Sequence, residues 1–201
     1  MRIPRIYTEQ NLLSGEHLEL EESASHHLSK VLRMQAGREL ILFNGAGGEF
    51  AATIHEVSKK HVTVCITEHT VDNRESPLEL ELAIGISRGE RFEWVLQKAT
   101  ELGVTKITPL ITERTEVKTG GDRQEKMQDR WQHILISACE QSQRNLLPVL
   151  SAPIQISEWL PTVNSDLRFV LHHRDSQRLP ADRQRRLPRR LAPADRQGQR
   201  A

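Results

Sequence analysis

The sequence predicts an α/β domain on a parallel sheet, preceded by a small β-rich barrel and followed by a polar tail. Three observations carry this. Residues 78–114 alternate strand, helix and strand patterns, residues 39–66 hold short alternating runs separated by glycine and polar turns, and beyond Arg178 neither period survives.

In the first stretch, a strand over 78–86 meets a Ser-Arg-Gly turn, a helix over 90–102 and a second strand over 106–112. Phe92, Val95, Leu96, Ala99 and Leu102 recur at three- and four-residue spacing, which lays one apolar stripe on the sheet. Gly103 can adopt the left-handed conformation that stops such a helix. Two strands joined by one amphipathic helix should be parallel, with a right-handed crossover. Ligands of open α/β sheets gather at the carboxyl ends of the strands, so residues 87–90 and 112–114 are where chemistry is expected.

Upstream, Glu39 to Asn44 is a strand, Gly45 to Gly48 a turn, and Phe50, Ala52 and Ile54 alternate on the next run. After a turn at Ser58 to Lys60, Val62, Val64 and Ile66 share one face. Ser25 is expected to cap a short helix over 26–33, with Leu28, Val31 and Leu32 inward. One helix and several short strands suit a small barrel. Asp-Asn-Arg-Glu-Ser before Pro77 contains no apolar residue, which divides the chain into a barrel (1–72), a linker (73–77) and an α/β domain (78–175). Asp122 with Glu125 predicts a capped second helix ending near Gln143, buried through Met127, Trp131, Ile134, Leu135 and Ala138. Residues 148–153 should be extended, 157–160 a helical turn and 168–171 a buried strand.

At 201 residues the chain can hold one large core or two small ones. A hydrophobic content of 37% and a mean hydropathy of −0.54 are polar for a globular protein, and the polarity is uneven. Residues 176–201 hold eight arginines against two aspartates, a local +6, which leaves −5 for the rest of a +1 chain. Global charge therefore gives no support to nucleic-acid binding, and any basic surface must be local. The tail repeats Pro-Ala-Asp-Arg-Gln at 180–184 and 193–197 and reads as disordered, with contact to RNA phosphates as the functional alternative. Cys65 and Cys139 lie in apolar runs, as reduced core thiols of a cytoplasmic protein would. No secretory leader or membrane span is expected. The paired histidines, 26 with 27 and 172 with 173, lack the spacing of a metal site, so no metal is expected.

Two polar clusters stand out. Lys98 and Glu101, one helical turn apart, followed by Glu113 and Arg114, form the first, and Glu140, Gln141, Arg144 and Asn145 form the second. Taken singly, the first is a surface ion pair and the second a helix cap.

Together the motifs resemble a family. Lys-Ala-Thr-Glu-Leu-Gly-Val (98–104), Ile-Thr-Pro-Leu-Ile-Thr-Glu-Arg (107–114), Ala-Cys-Glu-Gln-Ser-Gln-Arg (138–144) and Leu-His-His-Arg (171–174) are similar to the RsmE-type methyltransferases of the SPOUT superfamily. Arg-Ile-Pro-Arg-Ile-Tyr (2–7), His-Leu-Ser-Lys-Val-Leu-Arg (27–33) and Phe-Asn-Gly-Ala-Gly-Gly-Glu-Phe (43–50) resemble that family's PUA-like barrel. The resemblance implies methyl transfer from S-adenosylmethionine to N3 of a uridine in small-subunit (16S) ribosomal RNA, by a homodimer whose trefoil knot holds the cofactor. It implies RNA-binding roles for Arg2, Arg5, His26, Arg33, Lys98, Glu140 and Asn145. Catalytic roles would fall to Glu101, Arg114 and Arg144, with Arg114 and Arg144 gripping the substrate at one rim of the sheet, and cofactor contacts to Leu171 and His172.

The sequence departs from the family in two places. Gln143 stands where the family often has glycine. Beyond Leu171 the expected Ile-Gly-Pro-Glu-Gly-Gly turn and Leu-Arg-Thr-Glu-Thr segment are replaced by the arginine-rich run. The expectation is a frameshifted or truncated member with an incomplete knot and an unpaired sheet edge near Val170, binding S-adenosylmethionine weakly or not at all. A non-catalytic RNA-binding module and an inactive pseudogene product are the competing readings.

Overall fold

The computed structural model describes residues 3–58, 60–71, 74–115 and 121–171. They fall into two units, 1–161 and 162–201.

The first unit begins with β1 (Arg5–Tyr7), β2 (His17–Glu19), the helix α1 (Glu22–His26) and a π-helical turn, His27–Val31. β3 (Glu39–Phe43), β4 (Glu49–Val57) and β5 (Val62–Thr70) follow as the expected antiparallel meander. The five strands form one mixed sheet in the order β1-β3-β4-β5-β2, with β1 parallel to β3. The alternation read from sequence is what buries it, since Phe50, Ala52, Ile54, Val62, Val64 and Ile66 enter one core with Leu28, Leu40 and Leu42.

Ser25 departs from its expected role. The helix starts three residues earlier, and Ser25 lies inside it, donating its hydroxyl to Leu20 O (2.8 Å) and accepting the Val62 amide (3.0 Å). It ties the helix to the start of β5. Val31 and Leu32 also face outward, 60% and 40% exposed, while Leu28 is fully buried. The bond from the Leu32 amide to His27 O spans five residues (2.9 Å), and this wider turn rotates both side chains off the face of Leu28.

The second sheet is parallel throughout. β6 (Glu81–Gly85) leads into α2 (Glu90–Glu101) and returns as β7 (Lys106–Ile111), giving the predicted βαβ unit. α3 (Asp122–Ser142) follows, then β8 (Val149–Leu150) and β9 (Ile154–Gln155), which pair in succession with β7. The extended run over 148–153 is thus two short strands. Pro153, with no N–H to give a ladder, lies in the interruption. α4 (Ile156–Trp159) and a 3₁₀ turn, Leu160–Thr162, come after them. Phe92, Leu96, Ala99, Trp131 and Leu135 form the core over the sheet, with the Phe92 and Trp131 rings 4.6 Å apart.

Leu102 does not join that stripe and is 83% exposed. Gly103 (φ +91°) donates to Thr100 O and Val104 to Ala99 O, both at 3.0 Å, a left-handed closure that turns Leu102 out and brings Val104 in. α3 closes in the same way, with the Arg144 amide on Cys139 O (3.1 Å), but the left-handed position is held by Gln143 (φ +65°). The start of α3 lacks the expected cap. Asp122 is its first residue, Gly121 precedes it, and no side chain caps the amides.

In the second unit the strand expected over 168–171 is absent from the described residues. Val170 and Leu171 are 90% and 94% exposed, and the side-chain bonds from Arg168 to Val163 O (2.8 Å) and from Ser165 to Leu167 O (3.3 Å) are local. A strand forms only where a ladder partner exists, and none is present for this run among the described residues of the unit. The expected sheet edge at Val170 is corrected accordingly. The expectations of a disordered tail and of an incomplete knot fall on residues outside those described.

Ser25→Ala should lower stability by about 1–3 kcal/mol, because it strips two partners from buried backbone groups. Urea unfolding with an unchanged slope is the check, and a midpoint equal to wild type would contradict it.

Candidate functional site

β6 and β7 end side by side. The Ile86 amide extends their ladder to Leu110 O (3.0 Å), and a Cβ on Gly85 would meet Thr112 Cγ2 at 3.6 Å. Beyond β7, Thr112 and Thr115 close a tight turn. The Thr115 amide donates to Thr112 O (2.9 Å) and the Thr112 amide to Thr115 Oγ1 (2.8 Å). Glu113 and Arg114 occupy its exposed tip.

Next to this end lies a hollow of about 650 Å³. It is bounded by Ile86, Ser87, Arg88 and Gly89 after β6, by Phe92 and Glu93 on α2, and by Arg123, Lys126, Met127, Arg130 and Trp131 on α3. The two helices run parallel, with Arg130 on Glu93 (2.8 Å). Eight residues of α3 precede that crossing against three of α2, so the first turns of α3 overhang by about 7 Å at 1.5 Å per residue. Four cations and one carboxylate line the space. Topology alone points to Ser87 and its neighbours up to Glu90 at this end, and does not reach Arg123, Lys126 and Arg130. Their three- and four-residue spacing was a readable signal of one shared helix face.

The second polar cluster lies at the far end. Arg144 is 6% exposed; its Nη1 donates to Thr100 O (2.8 Å) and Val104 O (2.9 Å), while Nε and Nη2 grip Glu75, the latter at 2.7 Å. It closes the end of α2 and pins the residues before β6. Since α3 is parallel to α2, its last turn reaches the amino end of β7, and Arg114 stands beyond the carboxyl end. The length of β7, about 20 Å, separates them. The expected grip by Arg114 and Arg144 at one rim is therefore overturned within this chain.

The RNA-binding roles expected of Arg5 and Asn145 conflict with their burial. Arg5 is 9% exposed, Asn145 fully buried, and the two are hydrogen-bonded. Arg5 also pairs with Glu49 (2.5 Å) and lies over the Phe43 ring. Arg74 spans Glu49 (3.1 Å) and Gln143 Oε1 (2.6 Å). Glu140, half-buried, accepts the Tyr7 amide (3.1 Å). The cluster is thus a junction between the mixed sheet and the end of α3. Burial holds the Glu140 carboxyl above its usual pKa, against the opposing pull of the Tyr7 amide and the charges of His27 and Arg5. Burial likewise pushes the Cys139 thiol up to about 12, which keeps it protonated and unreactive.

Lys98 and Glu101 form a partly exposed pair (2.7 Å) on the last turns of α2, away from the hollow. His26 and Arg33 are exposed on the first helical segment and its exit. Leu171 is exposed in the second unit, and Arg2 and His172 lie outside the described residues. Among the described residues there is no group of three or more acidic, histidine or cysteine side chains arranged to hold a metal, and no helix long and apolar enough to cross a membrane.

An RNA methyltransferase domain model matches residues 74–192, and an RNA methyltransferase PUA domain model matches residues 20–66. A ribosomal RNA small subunit methyltransferase E from Buchnera aphidicola (Acyrthosiphon pisum) is 34% identical over 85% of this chain. The chain belongs to the ribosomal RNA small subunit methyltransferase E family.

It spans 68% of that relative and 55% of the Bacillus subtilis methyltransferase E, to which it is 33% identical. A putative methyltransferase from Legionella pneumophila, solved with S-adenosylmethionine, aligns with a TM-score of 0.85 and 44% identity over 88% of this chain and 73% of that one. The methyltransferase E of Neisseria gonorrhoeae, bound to the same molecule, aligns at 0.78 and 38% over 82% and 67%. The mixed sheet is the PUA-like region of the family and the parallel sheet its α/β domain. The hollow's excess of cations suits an anion better than S-adenosylmethionine, whose sulfonium and ammonium outweigh its single carboxylate.

Arg144→Ala should cost about 3–5 kcal/mol by removing the guanidinium that pairs with the buried Glu75 carboxylate, and adding Glu75→Gln should recover part of it; chemical denaturation of both variants decides. The Glu140 carboxyl binds its proton more tightly in the folded chain, so its contribution to stability is complete below the unfolded value near 4.5 and falls as pH rises past it. Glu140→Gln, which can still accept the Tyr7 amide, should therefore flatten the decline in thermal midpoint from pH 4 to 7. An unchanged slope would contradict this.

Proposed function

We propose that this chain carries the family's reaction, S-adenosylmethionine-dependent methylation of N3 of a uridine in small-subunit ribosomal RNA, in the cytoplasm and as a homodimer. The observation that carries the reading is the cation-lined hollow at the carboxyl end of a parallel sheet, in a chain whose motifs and fold are those of this family. Support for a second copy comes from the groove of about 560 Å³ between α2 and α3, beside which Trp94 is 62% exposed.

The described residues hold and orient RNA. Arg114, on a rigid turn with no ion-pair partner among the described residues, presents a planar fork suited to the carbonyl edge of a uracil. Glu113 beside it is the candidate acceptor of the imide proton, with Glu101 second because Lys98 already engages it. Arg144 acts as a positioning residue, fixing the ends of both helices so that their opposite ends frame the hollow. His26 and Arg33, exposed on the PUA-like region, extend the RNA contact, and Lys98 lies on the same helix as Glu93 of the hollow. Residues 73–77 are the proposed boundary between the RNA-binding and methyltransferase parts.

Transfer of a labelled methyl group to small-subunit RNA lacking the modification tests the reading. Wild type should label a uridine, and Arg114→Ala should lower kcat about 10–100-fold with unchanged thermal stability. RNA binding without any labelled uridine would reduce the chain to a binding module.

A further inference from the structure

Building on the RNA reading above, we propose that the hollow between the Ser87–Gly89 turn and the overhanging start of α3 seats a backbone phosphate of the substrate RNA, through Arg123, Lys126 and Arg130.

Charge makes the first argument. The lining carries Arg88, Arg123, Lys126 and Arg130 against Glu93, a local +3, in a chain whose first 175 residues sum to −5. A basic lining is therefore not a by-product of a basic body. Spacing makes the second. Positions 123, 126 and 130 share one face of α3, and like charges at such separations weaken a helix by a few tenths of a kcal/mol per pair. Of the three, Arg130 alone has an ion pair among the described residues, with Glu93. Arg123 and Lys126 have no hydrogen bond or ion pair among the described residues, which leaves both charges available to a ligand.

Shape supplies the third. The wall beneath the cations is apolar and sealed, with Phe92 and Trp131 1% and 3% exposed, so the space offers no free aromatic face for stacking a base. What it offers is a concave, positively charged surface of low-dielectric backing, which strengthens attraction to an anion. The amino ends of α2 and α3 open towards the same side with no side-chain cap, which adds partial positive charge of the same sign. A phosphodiester held here would place its nucleotide beside the tip carrying Arg114, since β6 and β7 end together.

The test is the salt dependence of RNA binding by the full chain, measured by fluorescence anisotropy with a small-subunit RNA fragment. Arg123→Gln with Lys126→Gln should weaken binding roughly tenfold and lower the slope of log K against log salt by about 0.7–0.9, the value for one lost phosphate contact. Arg91→Gln, an exposed cation outside the hollow, should leave the slope within experimental error of wild type. Glu93→Gln, which frees Arg130, should tighten binding and steepen the slope. Circular dichroism confirms that each variant is folded. Wild-type binding with an unchanged slope in the double variant overturns the phosphate seat and leaves the family reaction standing. Failure of the wild-type chain to bind RNA at any salt overturns both.

Discussion

The architecture of the α/β part hangs on one buried guanidinium. Arg144 joins the end of α3 to the closing carbonyls of α2 and to Glu75, with both members of the ion pair under a tenth exposed. Such a pair adds little net stability over apolar packing, but it is strict about geometry, since removing one member strips a buried charge of its ion-pair counterpart. Its effect is to hold the two helices level at their carboxyl ends. Because α3 is the longer helix, the excess length emerges at the amino ends, above the point where β6 and β7 stop.

That single offset separates two kinds of polar chemistry. At the fixed end, Arg5, Glu49, Arg74, Glu140, Gln143 and Asn145 interlock the PUA-like sheet with α3. The glycine turn of the barrel takes part. A Cβ on Gly45 (φ +79°) would sit 3.1 Å from the Leu147 side chain, so the close approach requires glycine, and Gly47 donates to Asn145 O (3.3 Å). At the free end, Arg123 and Lys126 project without an ion-pair partner among the described residues, beside an exposed turn. Residues of one type, arginine, thus serve as structural brackets at one end and as ligand-facing groups at the other.

The two helix ends show how a motif can tolerate change. α2 and α3 both close through a left-handed residue, glycine in one and Gln143 in the other. The strain of that conformation, of order 1 kcal/mol, is partly offset by the bond from Arg74 to the Gln143 amide oxygen. The junction supplies what the residue itself lacks.

What the sequence determined is what depends on neighbours within a few residues. The βαβ unit, the meander, the stripes of Phe92, Leu96, Trp131 and Leu135, and the Gly103 stop were legible because side-chain period follows from backbone geometry, and the ordered motifs carried the family. The tertiary structure decided which charges are available. Arg144 and Glu75 are 69 residues apart and Arg5 and Asn145 are 140, so no local pattern could mark those arginines as buried brackets. Nor could it show Arg123 and Lys126 facing a hollow. The desolvation of a charge depends on partners brought together only by the folded chain, whereas periodicity is written residue by residue.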